Sequence, residues 1–152
     1  MQKRSRKPIS RVFHRILLPA AFPLKIDSYR QDDARITYLH YHECLEVGYC
    51  HKGSGIFMVE EKVFRFNAGD VCVINQDETH LAQSARGTAS EWHFLYFDPV
   101  ALAMPMPAGG GAPSFDGRTL AGRKFANILA AAEHPEVCRL VREIIEEGTG
   151  RR

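Results

Sequence analysis

The run His40-Tyr41-His42-Glu43-Cys44-Leu45-Glu46-Val47-Gly48-Tyr49-Cys50-His51-Lys52-Gly53-Ser54-Gly55 is the stretch from which the fold can be read. Leu45, Val47 and Tyr49 alternate with Glu46, Gly48 and Cys50, the period of a strand with one buried face. Lys52-Gly53-Ser54-Gly55 then offers glycine where a tight reversal requires it. Similar short runs rich in Val, Ile, Phe and Tyr lie on either side, at 36–41, 55–59, 63–66, 71–75, 80–83 and 92–97. Asn67-Ala68-Gly69-Asp70 and Arg86-Gly87-Thr88 punctuate them. Short strands at regular spacing predict an all-β barrel or sandwich made largely of antiparallel hairpins.

The same stretch carries chemistry. Read as one extended strand, residues 40, 42, 44 and 46 share a face, so His40, His42 and Glu46 point the same way. His80, behind the turn that follows 71–75, is the fourth candidate ligand. Imidazole and carboxylate together suit one divalent transition metal, Zn, Ni, Mn or Fe, whereas all-oxygen sites suit Mg or Ca. A His-x-His pair by itself equally fits two histidines hydrogen-bonded in a metal-free pocket. Cys44 shares the parity but reads as a buried, inert thiol. Tyr41, Phe57, Trp92 and His93 are the candidate residues for binding a small molecule at the barrel mouth, with aromatic walls that can stack on it.

Beyond Asp98-Pro99 the texture changes. Met104-Pro105-Met106-Pro107 and Gly109-Gly110-Gly111 predict a loop over 101–118. Val137, Leu140, Val141, Ile144 and Ile145 then recur at helical spacing, with Pro135 suited to the first turn and Gly148 to the stop. A shorter helix over 124–132 is expected before them. The chain thus divides into an arm and lead-in (1–34), a β-barrel core (35–100), the loop, and C-terminal helices (119–152), all within one domain of 152 residues.

Composition narrows the function. Hydrophobic residues make up 45% and charged residues 25%, with a formal net charge of +2. Much of the positive charge sits in Lys3, Arg4, Arg6, Lys7, Arg11 and Arg15, which read as a solvated arm, so no basic DNA-binding face is expected. Residues 16–22 are apolar but brief and interrupted by Pro19, which excludes a spanning helix there. Cys44, Cys50, Cys72 and Cys138 form no CxxC pair, which predicts reduced thiols and a cytoplasmic protein. His14, His51 and His134 show no partner pattern and read as surface or capping residues.

His40, His42, Glu46 and Gly53 follow the order and spacing of the first cupin motif, and Gly69 with His80 resembles the second. The second departs from the family pattern at Asn75, Asp77 and Ser84, where cupins carry proline, glycine and often asparagine. The resemblance implies a mainly β fold, a cupin-like double-stranded β-helix or jelly-roll barrel followed by C-terminal α-helices. Leu45-Glu46-Val47-Gly48-Tyr49, Asn67-Ala68-Gly69-Asp70 and Trp92-His93-Phe94-Leu95-Tyr96-Phe97-Asp98-Pro99 are similar to the N-terminal effector-binding domain of AraC-type transcriptional regulators.

That second resemblance, over roughly 35–147, implies a sensor of a small-molecule effector such as a sugar or related polar metabolite. It also implies a homodimer through Val137, Leu140, Val141, Ile144 and Ile145. Members carry two helix-turn-helix units after this domain. The chain ends at Gly148-Thr149-Gly150-Arg151-Arg152 without them, so DNA is expected as a partner only through that absent part. The other class is a metal-dependent cupin enzyme of dioxygenase or isomerase type, with His40, His42, Glu46 and His80 holding the metal.

Overall fold

The alternating runs become strands whose inner faces close on a common core. The computed structural model describes residues 9–103 and 116–150. Its elements are β1 (Ser10–Phe13), β2 (Leu24–Gln31), β3 (Tyr38–Tyr41), β4 (Leu45–Lys52), β5 (Ser54–Val59), β6 (Lys62–Asn67), β7 (Val71–Ile74), β8 (His80–Ser84), β9 (Ser90–Phe97), α1 (Pro99–Ala103), a 3-10 turn (Gly117–Leu120), β10 (Ile128–Leu129) and α2 (Pro135–Thr149).

Two five-stranded sheets result, ordered β1-β3-β8-β5-β6 and β10-β7-β4-β9-β2. Their ladders are antiparallel except for β1 against β3. Cys50, Phe57, Val59, Phe66, Cys72, Ile74, Trp92 and Phe94 meet in the core. The expected mainly β barrel is therefore present.

Local backbone chemistry explains the turns. Gly53, Gly69 and Gly87 adopt φ of 94°, 96° and 75°, the left-handed region that glycine enters without steric cost. Asp77, which stands where cupins carry glycine, also has positive φ, at 63°. Aspartate is among the few residues that tolerate that region, so the departure from the motif keeps the turn. Gly48 has a different role, close approach. A Cβ there would stand 2.5 Å from Phe94 Cε1 and 2.6 Å from Cys72 Sγ, its cross-strand neighbours.

Several expectations need correction. The lead-in is not outside the sheets, because β2 pairs along its whole length with β9 and β1 runs beside β3. Both are edge strands of their sheets, and β1 is exposed throughout, so neither carries a strong alternation of its own. The shorter helix expected over 124–132 is absent. Ile128 and Leu129 instead pair with Cys72 and Val71 as β10, because the open edge of β7 offers a ladder that a short isolated helix cannot match.

α2 ends later than expected, with Gly150 as a left-handed cap at φ 67°. Gly148 lies inside the helix, where its bare Cα admits the Ile26 side chain. The loop expected over 101–118 falls largely outside the described residues, as do Lys3, Arg4, Arg6 and Lys7.

The apolar stripe of α2 is divided between two faces. Cys138 and Ile145 are buried, at 4% and 1% exposure, and α2 packs on β4 and β2. Val137, Leu140 and Ile144 are exposed, at 42%, 45% and 50%. Val141 is half-buried between them. Ile145 is thus core of its own barrel rather than free for a partner, since the helix turns that position inward.

Candidate functional site

The chain crosses from one sheet to the other between β3 and β4, and the candidate site is built at that crossing. His40 on β3 stands directly opposite His80 on β8 in one sheet. Glu46 faces them from β4 in the other sheet, beside Tyr96 of β9. His42 lies on the link, past the end of β3. His40, His42, Glu46 and His80 therefore converge, but not by the parity of one continuous strand. The strand breaks over residues 42–44, and the change of sheet brings the side chains together. Cys44, on the break, is buried among other residues and takes no part in the group.

One potential ligand atom from each of the four lies within 4.8 Å of the others. Glu46 Oε2 is 3.1 Å from His42 Nε2 and 3.1 Å from His80 Nε2. The outer nitrogens are fixed by backbone: His80 Nδ1 meets Glu78 O at 2.9 Å and His42 Nδ1 meets His14 O at 2.7 Å. Each Nδ1 donates, because a carbonyl only accepts. Carbonyl-anchored histidines that turn the other nitrogen inward are the arrangement found around bound metals. His42 Nε2 is buried and, despite its nearness to Glu46, makes no hydrogen bond of acceptable geometry. An orphaned inward nitrogen beside a buried carboxylate fits a cation between them. Metal–donor distances of about 2.0–2.2 Å allow donors up to ~4.4 Å apart, so a small contraction would complete the set. The His/Glu group could hold a metal ion.

Electrostatics point the same way. Burial and the neighbouring His80 hold His40 down to about 3, so its ring is neutral and available as a ligand. Burial pushes Glu46 up, but His80 and His42 outweigh it and hold the carboxyl below its ordinary value. Burial pushes His80 down, yet Glu46 raises it above its ordinary value. Burial, then Glu46, keeps the Tyr96 phenol protonated far above its usual range, making it a hydrogen-bond donor. The Cys44 and Cys50 thiols are pushed up to about 12, chiefly by burial, and all four cysteines are free and buried. They are protonated and inert.

These shifts set the pH dependence of the metal-free protein. Glu46 contributes stability that is present above its ordinary 4.5 and is lost as pH falls toward its depressed folded value. His40 binds its proton less readily folded than unfolded, so it adds a further loss between pH 6.5 and about 3. The His80 contribution is present below pH 6.5 and is lost as pH rises through its raised value. The urea midpoint is therefore expected to peak near pH 6.5 and to fall on both sides. A midpoint unchanged from there down to pH 4.5 would contradict the buried cluster.

A cavity of about 180 Å³ opens above the group. Phe57, Trp92, Phe94 and Tyr96 form its aromatic side, and Gln31, Tyr29 and Tyr38 add polar groups. Of the expected effector residues, Phe57 and Trp92 line it. Tyr41 and His93 do not. Tyr41 sits on the opposite face of β3 from His40 and packs on Phe13 at 5.4 Å. His93 alternates with Trp92 and Phe94, so it leaves the outer face of β9 and meets His51 at 2.8 Å. Strand parity could have found Phe94 and Tyr96 once Trp92 was taken as inward. Gln31 and Tyr29 carried no signal, because β2 was not foreseen, and neither did His14, which also lines the cavity.

The family model of the AraC-like ligand binding domain matches residues 25–151. The chain belongs to that family. The match begins at β2 and runs through α2, so the AraC-like domain takes in the strand that sequence reading had left in the lead-in. Among curated proteins no sequence matches.

Solved structures similar to this AraC-like domain include a cupin protein from Bacteroides fragilis, at 14% identity, covering 61% of this chain and 77% of that one, with a TM-score of 0.46. A cupin 2 conserved barrel domain protein from Salinispora arenicola matches at 15% identity, with 57% and 74% covered and a TM-score of 0.47. Bacillus subtilis oxalate decarboxylase, a protein with Mn(II) centres, matches at 21% identity and a TM-score of 0.44. The chain covers only 21% of that enzyme's length, with 49% of its own. Among the described residues, no helix is long and apolar enough to cross a membrane.

Proposed function

We propose that this AraC-like ligand-binding domain senses a small-molecule effector in the cavity above His40, His42, Glu46 and His80, as the cytoplasmic sensing part of a DNA-binding transcriptional regulator. The observation that carries this reading is the cavity itself, with aromatic walls at Phe57 and Trp92 and four converging ligand side chains at one end, three of them buried and His40 half-buried. His40, His42, Glu46 and His80 would hold one divalent transition metal, Zn, Ni, Mn or Fe, which when bound supplies a Lewis-acidic anchor for an effector oxygen. Phe57 and Trp92 stack on the body of the effector, and Gln31 and Tyr96 offer hydrogen bonds that orient it. Effector binding favours one conformer of the parent protein over another, and DNA binding follows that shift.

The enzyme reading has less support. Among the described residues lining the cavity, Glu46 is the only carboxylate and there is no lysine or arginine, so beyond the imidazole of His14, stacked on His40 at 4.9 Å, no charged acid or base stands beside the four ligands to move protons.

Trp92 is the only tryptophan and lines the cavity, so its fluorescence reports occupancy directly. Titration of zinc-loaded and metal-free protein with panels of small sugars and small carboxylates is expected to change that emission saturably for one class. Turnover of a bound compound would overturn the sensing reading. Failure of every compound to alter the emission of Trp92 while binding elsewhere would overturn the assignment of the cavity.

Dimerisation belongs to the same proposal. The exposed row Val137, Leu140 and Ile144 on α2 is the surface proposed to meet a second copy, in a closed two-fold pairing. Leu140→Asp with Ile144→Asp is expected to give monomers of unchanged β content in sedimentation and circular dichroism, because both side chains are exposed already. Ile145→Asp instead places a charge in the barrel core and is expected to unfold the protein. Monomeric native protein at high concentration would sink the dimer.

A further inference from the structure

Asn127 is a fully buried polar side chain outside the site, at 0% exposure, and it immediately precedes β10 on the path to α2. Both its amide hydrogens and its side-chain oxygen are engaged. Its amide nitrogen donates to Val73 O at 2.8 Å and to Glu78 Oε2 at 3.1 Å. Its oxygen accepts from Lys62 Nζ at 2.5 Å. Lys62 also donates to the carbonyls of Gly122 and Phe125, at 2.8 and 3.1 Å, which ties that stretch of chain to β6.

Glu78 is the turning point of this network. The carboxylate that accepts from Asn127 also accepts from Asn75 N at 2.9 Å, which fixes the turn between β7 and β8. The carbonyl of the same residue receives His80 Nδ1–H. One chain of hydrogen bonds, part-buried at Lys62 and buried beyond it, therefore runs from Lys62 through Asn127 and Glu78 to His80. Outer partners of this kind decide ring orientation around a binding centre.

We propose that Asn127 is a positioning residue: it locks Glu78, whose carbonyl aims His80 into the cavity, and so ties the geometry of the centre to the segment that leads into α2. Occupancy at His80 is transmitted by this route to residues 122–131, and the proposal thus deepens the sensing function and rests on it. His42 supplies an internal control. Its ring Nδ1–H is held by His14 O, which takes no part in the Asn127 network; only the His42 backbone carbonyl meets the β7–β8 turn, accepting from Asp77 N at 2.8 Å.

The test uses the full chain as Asn127→Ala and Lys62→Met, with nitrogen-15 spectra of the histidine rings, zinc titration, and hydrogen exchange before and after zinc. In the native protein the Nδ1–H resonances of His80 and His42 are both expected to exchange slowly. In Asn127→Ala the His80 resonance is lost to solvent exchange while that of His42 persists. Zinc affinity falls about tenfold, and zinc no longer slows exchange across 122–131. Lys62→Met shows the same selectivity with a smaller loss, and it decides the matter if Asn127→Ala does not fold. An unchanged His80 resonance, or equal loss of His80 and His42 in Lys62→Met, would overturn the proposal. Native protein that takes up no zinc, yet shows the selective loss at His80, would defeat the metal part of the sensing reading and leave the positioning role supported.

Discussion

His80→Ala protein, purified without a histidine tag, is expected to lose at least about a hundredfold in affinity for divalent metal, beyond the upper end of what an outer partner costs. His80 is 1% exposed, sits opposite His40 in the sheet and presents Nε2 to Glu46 at 3.1 Å. The variant should also be less stable without metal. Glu46 is 2% exposed, and removing one partner from a buried ion pair typically costs about 3–5 kcal/mol. The lower end applies, because His42 remains 3.1 Å away. Metal analysis of native, His42→Ala and His80→Ala proteins, with urea melts of the metal-free forms, measures both effects. Equal metal content in all three would defeat the metal centre while leaving the cavity as a candidate effector site.

The second large effect is expected at Trp92, which is both wall of the cavity and core of the barrel. Its ring is 1% exposed, stacks on Phe94 at 5.5 Å and meets Phe66 and Phe57 edge-on at 4.9 and 5.7 Å. The indole N–H donates to Ser90 Oγ at 2.9 Å. Ser90 Oγ lies 2.8 Å from Ser84 Oγ, which donates to Gln31 O at 2.7 Å, so one polar chain links β9, β8 and β2 across both sheets. Trp92→Ala is expected to lose about 3–5 kcal/mol. Trp92→Phe keeps most of the packing and should lose only about 1–3 kcal/mol, the cost of leaving a buried polar partner unsatisfied. Urea unfolding separates the two. A loss below about 1 kcal/mol in Trp92→Ala would mean the ring can leave the core freely, and the cavity would then have no fixed wall.

What could be read in advance follows from locality. β4, β5, β6 and β9 are each rich in strand-forming residues and bounded by turn residues, so they can be recognised without knowing their partners. β1 and β2 depend on theirs. Eight residues of β2 are held by pairing with β9, and nothing within Leu24–Gln31 alone demands a strand. Asn127 was invisible for a related reason. An asparagine before an apolar pair reads as a turn residue, and its burial exists only because Lys62, Val73 and Glu78 arrive from elsewhere in the chain.

The residue types of the centre, His40, His42, Glu46 and His80, and the glycines that need positive φ were determined by the sequence itself, because donor chemistry and backbone sterics belong to single residues. Which way those side chains point was decided only by the tertiary structure. The chain changes sheet over residues 42–44, so convergence comes from two sheets closing on each other rather than from the period of one strand. The same division holds for α2, whose stripe could be read as apolar. Only packing on β2 and β4 separates Ile145, taken into the core, from Leu140 and Ile144, left on the surface, because burial is a property of what lies opposite a side chain and not of the side chain alone.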